Sequence, residues 1–261
     1  MTRSAICSLL HRFDCRALLS LPALMLIAGL FHLIVVSPAA FAGSFGINPI
    51  RVDLSSSQPS AVIHVDNHGD SEVTVEARSF IWAQADGKDQ LTLTRDIIVT
   101  PQIFRIKPGA TQVLRIGTLR KPDPSQEIPY RLTLEEILPP PPPDLKGVRV
   151  ALRISMPVFL KPVVEAKEKI EAAISIGEGA QLKLRLANSG NASAHFSEIL
   201  LFDEDKPDKL IASQIASTYV LPGQQREILL KTTAFDAAKK ILIKAKTHAG
   251  PVEFHAVPVA R

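Results

Sequence analysis

The sequence predicts an all-β protein built as two β-sandwiches, and three observations carry that expectation. Short runs rich in β-branched residues recur about every 8–12 residues along nearly the whole chain beyond residue 42. Gly and Pro turn signals separate them. A pair of turn motifs also occurs twice in the same order, once in each half.

The runs are Ala61–Asp66 (AVIHVD), Glu72–Ile81 (EVTVEARSFI), Ile103–Ile106, Gln112–Ile116, Tyr130–Ile137 and Val148–Phe159 in the first half. Gln181–Ala187, Glu198–Phe202, Arg226–Lys231 and Lys240–Lys244 follow in the second. Only Val163–Ile174 (VVEAKEKIEAAI) has helical composition; it lacks a capping residue and also reads as a linker and a strand. The repeated motifs are Asn67-His68-Gly69 followed by Pro108-Gly109, and Asn188-Ser189-Gly190 followed by Pro222-Gly223. Proline presets the first central residue of a type II turn and glycine accepts positive φ at the second, so each PG demands a tight reversal. The repeat favours two similar sandwiches that meet near Pro162.

The chain has 261 residues, 46% hydrophobic and 21% charged, which excludes collagen, coiled-coil and disordered classes. Its net charge of +4 is spread out, and without a basic patch it does not argue for nucleic acid. Residues 1–42 read as an export signal. Arg3, Arg12 and Arg16 precede the uncharged run Ala17 to Val36, and Ala40-Phe41-Ala42 forms an A-x-A cleavage site. That apolar run is also long enough to span a bilayer, so an uncleaved anchor is the competing reading. Both cysteines, Cys7 and Cys15, lie in the leader, which excludes a disulfide scaffold or a thiol enzyme in residues 43–261.

Catalytic patterns are absent. His64 and His68 straddle a strand end and a turn, about 13 Å apart along extended chain, which does not suit a shared metal. Glu135 and Glu136 are neighbours on a strand and point to opposite faces, wrong for a paired acid and base. Neither a phosphate loop nor a nucleophile elbow occurs. No enzyme activity, cofactor, metal, nucleic acid or small-molecule substrate is expected.

The most informative segment is Tyr130 to Pro162. A loop with five consecutive prolines, Pro139 to Pro143, joins two strands; polyproline lacks N–H donors and should project. Beyond it Val148, Val150, Leu152, Ile154 and Met156 take every second position, opposite Arg149 and Arg153. An ordinary half-buried strand would show this pattern. So would an edge strand that offers its apolar row to another protein, and Pro157 favours an edge or strand end.

Four segments in order, INPIRVDL with Arg51, TPQIFRIKPGATQVLRI from Thr100 to Ile116, IPYRLTLEEILPP, and PVFLKP from Pro157 to Pro162, resemble the periplasmic chaperones of chaperone–usher pilus assembly. The resemblance covers essentially all of residues 43–261. It implies two immunoglobulin-like sandwiches in an L-shaped arrangement: 43–162, carrying a donor strand, and 163–261. It implies that the strand containing Val148, Val150 and Leu152, extended by Ile154 and Met156, fills the groove of an incomplete pilin. It implies delivery to an outer-membrane usher. Arg51 matches the first of two basic residues that anchor the pilin's C-terminal carboxylate. The second, a lysine in the family, falls on Pro157; Arg153 and Lys161 are the candidate substitutes, and Lys161 alternatively joins an interdomain ion pair. The competing function is an exported immunoglobulin-like structural or adhesive module without a pilin client. The apolar edge also suggests self-association of the free protein.

Overall fold

The computed structural model describes residues 45–85, 87–141, 143, 147–177, 181–232 and 239–259. The leader expected at 1–42 lies outside the described residues. All regular structure among the described residues is β-strand, and no described helix is long and apolar enough to cross a membrane.

The first sandwich contains β1 (Phe45–Asn48), β2 (Val52–Leu54), β3 (Ser60–Asn67), β4 (Val73–Ala85), β5 (Lys88–Leu93), β6 (Ile97–Thr100), β7 (Ile103–Ile106), β8 (Thr111–Thr118), β9 (Ile128–Glu136) and β10 (Arg153–Leu160). One sheet runs β1-β3-β8-β6; the other runs β2-β10-β9-β4-β5, with β7 also on β4. The chain changes sheets between Asn48 and Val52, so a single segment edges both layers. Alternation drives the packing: in β3, Ile63 and Val65 are buried while Val62 and His64 face solvent. They meet Leu54, Val75, Leu114, Ile116, Leu132, Leu134, Val158 and Leu160 in one core.

The second sandwich contains β11 (Ile170–Ile176), β12 (Gln181–Asn188), β13 (Ala194–Asp203), β14 (Lys206–Gln214), β15 (Thr218–Val220), β16 (Gln225–Lys231), β17 (Ile241–Thr247) and β18 (Gly250–Ala256). Its sheets are β11-β12-β16 and β14-β13-β17-β18, with β15 on β13. Leu182, Leu184, Leu186, Phe196, Leu201, Val220 and Ile243 lie at the centre of its core. The ambiguous stretch Val163–Ile174 contains no helix: it is an extended connection leading into β11.

Both PG turns are where the sequence requires them. Gly109 and Gly223 have φ of 68° and 71°, and Ala110 and Gln224 donate back to Lys107 and Leu221 across the reversals. The Asn turns match equally well. Asn67 and Asn188 are both buried, and each accepts from the N–H two residues on. Each amide then donates to the carbonyl four residues on and to a carbonyl two residues before the proline of the PG turn: Ser71 and Ile106 for Asn67, Ala192 and Val220 for Asn188. Each Asn carbonyl receives the N–H of the PG glycine. The repeat is structural.

The sandwiches meet through a small apolar cluster of Trp82, Phe159, Tyr219 and Leu221. Gln84 crosses the joint, donating to the Tyr219 carbonyl at 3.0 Å and accepting from Leu221 N at 3.1 Å. Arg226 adds a bond to the Gly87 carbonyl and an ion pair with Asp89.

Candidate functional site: an open strand edge and an interdomain cleft

The sequence-predicted strand over Val148–Phe159 begins five residues later, at Arg153. β10 pairs antiparallel with β9 along its whole length, but parallel with β2 only at Val158–Leu160. Its other side is therefore open from Arg153 to Pro157. Ladder alternation decides which groups face that opening. Glu136 N donates to Leu152 O, so even-numbered residues bond towards β9; Lys161 N donates to Leu54 O, so odd-numbered residues bond the other way. Arg153 and Ser155 thus present backbone groups to the open edge. Pro157, which has no N–H, sits where the missing donor leaves no ladder bond broken.

The predicted apolar row is divided. Met156 is buried in the domain's own core, and Ile154 and Leu152 pack partly against it. Val150 and Val148 stand free, 67% and 91% exposed. This corrects the expectation of a single free row: Met156 faces inward because the core extends under β10 that far, so only the N-terminal part is uncovered. Just ahead of the strand, the Glu136 carboxylate accepts from Leu152 N, and Arg149 donates to the Pro139 carbonyl at the loop base.

At the other end of β10 lies a cleft of about 820 Å³ between the sandwiches, lined by Arg51, Asp53, Glu127, Lys161, Glu168 and His248 among others. Arg51 sits just ahead of β2. Its guanidinium lies over the Phe159 ring, 4.4 Å from the centroid, and grips Asp53 with Nη2–Oδ1 2.9 Å and Nε–Oδ2 3.1 Å. Its Nη1 is buried without a hydrogen-bond partner, as are Trp82 Nε1 and Ser193 Oγ nearby. Burial opposes the charge of Arg51, yet the bond and field of Asp53 hold its pKa above the ordinary value. Burial also pushes the Glu127 and Glu168 carboxyls up and the His248 imidazole down.

Sequence reasoning passed over Arg131. It lies on β9 directly opposite Pro157. Its guanidinium stacks 3.7 Å from the Trp82 ring centroid and 5.3 Å from that of Tyr219, and burial lowers its pKa. The carboxylate that supports its charge, Asp89, is held by Arg226 at 3.3 Å. Strand parity contained the signal: Tyr130 is core, so Arg131 faces the joint. Lys161 lines the cleft with Arg51 and forms no ion pair with a described carboxylate. Arg153 instead pairs with Glu135 across the ladder at 3.6 Å, about 13 Å along the strand from Pro157. The structure does not bring it to Arg51. Among the described residues no cluster of His, Cys, Asp and Glu is arranged to hold a metal.

Residues 44–164 match the family described as pili and flagellar-assembly chaperone, PapD N-terminal domain. Over 95 residues the chain is 33% identical to chaperone protein FaeE and 32% identical to chaperone protein ClpE, both of Escherichia coli. Those alignments cover 35% of this chain and about a third of each relative, 36% and 35%. The chain is also similar in fold to a chain in the CsuC–CsuE chaperone–tip subunit pre-assembly complex from archaic chaperone–usher Csu pili of Acinetobacter baumannii. There the TM-score is 0.60 at 20% identity, covering 83% of this chain and 99% of that one. A chain in the complex of the Salmonella enterica SafA pilin with the SafB chaperone gives 0.59 at 16% identity, covering 84% and 98%.

Proposed function

From a chain whose residues 44–164 match the pili and flagellar-assembly chaperone family, we propose a periplasmic chaperone that stabilises pilin subunits by lending them a strand and passes them to an outer-membrane usher. Residues 1–42 export it, 43–162 form the domain with the donor strand, and 163–261 form the second domain. No catalysis is assigned: the energy comes from the client completing its fold.

The observation that carries the reading is the open edge of β10, preceded by the exposed Val148 and Val150, which continue the every-second-residue spacing of Leu152, Ile154 and Met156. An incoming strand gains backbone bonds from Arg153 and Ser155, while its groove takes the uncovered Val150 and Val148, the mode known as strand addition. Fully desolvating each valine contributes about 1.5–3 kcal/mol before ordering costs.

The cleft supplies the end of the same track. Arg51, with a guanidinium nitrogen lacking an acceptor, is the first anchor for a client's terminal carboxylate. Arg131, opposite Pro157 and stacked on Trp82 and Tyr219 at the joint, is the second; Lys161 lines the cleft with Arg51.

Co-expression with candidate pilin subunits, followed by pull-down, tests the proposal. Wild type should capture a subunit, and Val150→Glu should reduce capture on the order of a hundredfold, because a carboxylate enters an apolar groove. Leu152→Glu should do the same, but Leu152 also packs on the domain core, so Val150 is the cleaner site. Arg51→Ala and Arg131→Ala should weaken capture more than Arg153→Ala. Equal capture by wild type and Val150→Glu would sink strand donation. No capture by either would favour a structural immunoglobulin-like module.

A further inference from the structure

Asn191 is where three parts of the chain meet. Its Oδ1 accepts from Lys167 N at 2.7 Å, and its Nδ2 donates to the Glu165 and Ser125 carbonyls, each at 3.1 Å. Its backbone N–H donates to Lys167 O, and its carbonyl accepts from Glu127 N, both at 2.9 Å. Ser125 and Glu127 belong to the first sandwich, Glu165 and Lys167 to the connection, and Asn191 to the turn of the second. One short side chain therefore bonds all three.

The surroundings leave that turn little freedom. Gly190 lies so close to the connection that an added Cβ would fall on the Lys167 carbonyl oxygen and Lys169 N. Asn188 Oδ1 accepts from Lys169 N at 3.3 Å, and Ser193 N donates to the Glu127 carboxylate at 3.0 Å. From the other side Val163 and Val164 donate to the Asp123 and Pro124 carbonyls. Glu168, the residue after Lys167, reaches the cleft and meets His248 at 3.2 Å. The bonds that fix Lys167 thereby fix a wall of the cleft opposite Arg51.

We propose that Asn191 is a positioning residue, setting the separation of the two cleft walls and through it the grip on a client's terminal carboxylate. The grip rests on the chaperone reading above; the wall separation does not. Only an amide satisfies this place, since it accepts once from the connection and donates twice, to the connection and to the first sandwich. Aspartate keeps the acceptor and loses both donations; alanine loses all three side-chain bonds.

The test uses the full chain, exported and purified, with spin labels on Lys107→Cys and Lys209→Cys, both solvent-exposed, one on each sandwich. Wild type should give one narrow interdomain distance distribution. Asn191→Ala and Asn191→Asp should both broaden it. In parallel, affinity is measured for a co-purified pilin subunit with a free and with an amidated C-terminus. Both variants should lose about tenfold for the free form and little for the amidated one, the scale of one or two hydrogen bonds. A merely less stable variant would lower both affinities alike and leave their ratio unchanged, which would overturn the positioning role. An unbroadened Asn191→Ala distribution, or a wild-type distribution restored by Asn191→Asp, would overturn it too. If wild type itself ignores the carboxylate, the client reading of the cleft fails, and the distance distributions alone decide the role of Asn191.

Discussion

Asn67 and Asn188 hold equivalent turns in the two sandwiches, with the same five kinds of bond. They differ in what lies beyond the turn. Around Asn67 the bonds close on the first sandwich alone: the acceptors are Ser71 and Ile106, and the donors are Gly69 and Gly109. Around Asn188 the same oxygen takes a further donor, Lys169, from the connection between sandwiches, and Asn191 three residues on ties that connection to the first sandwich. A device that merely turns the chain in one copy is, in the other, the seat of a joint. The difference lies in the neighbour, and the turn itself is unchanged.

The largest effect that bears on this comparison is Asn188→Ala. It strands two buried carbonyls and two N–H groups, and urea unfolding should show a loss of about 3 kcal/mol. Asn67→Ala should lose less, about 2 kcal/mol, because no connection depends on it. An equal or larger loss at Asn67 would mean that the Lys169 bond contributes nothing. Next comes Gly190→Ala, which forces the connection away from its turn and should lose about 1–3 kcal/mol, as overpacking does. An unchanged unfolding midpoint would show that the connection yields freely there.

The smallest effect is a pH dependence across the joint. Burial holds the Glu127 carboxyl above the usual carboxylate range, so its proton binds more tightly in the folded protein than in the unfolded chain. The resulting stabilisation is complete below the ordinary value of 4.5 and is lost as pH rises through the raised folded value. Glu127→Gln keeps an acceptor for Ser193 N without the charge. It should raise the thermal midpoint modestly at pH 7, with the gain vanishing at acid pH. A gain that persists below 4.5 would place its cause elsewhere.

Much of the fold was legible because alternation and turn chemistry are local. The runs in β3, β4, β7, β8, β9, β12, β13, β16 and β17 announce themselves through β-branched residues, and both PG turns through their glycines. β5 (KDQLTL) and most of β14 (KPDKLIASQ) were not legible, since they are exposed edge strands with little apolar alternation to read. β2 and β15 are three residues each, too short for any period. For the site, the row from Val148 to Met156 could be read off spacing, but not the point where the core stops covering it. Arg131 escaped because its importance depends on lying across a ladder from Pro157, a register fixed by pairing over the 25 residues of loop and strand between them. Asn191 escaped for the same reason: its partners at Ser125 and Glu165 are remote in sequence.

β2 joins β10 in parallel over Val52–Leu54 and nowhere earlier. A foreign strand sliding along the open side of β10 therefore runs into a fixed end stop, with Arg51 mounted on its face. On the proposed function such a stop would make the edge a ruler: a docked strand would be measured from its own terminus, and one residue too many would force it to buckle or back away. Register, which open sheet edges leave loose, is here set by where a neighbouring strand happens to begin.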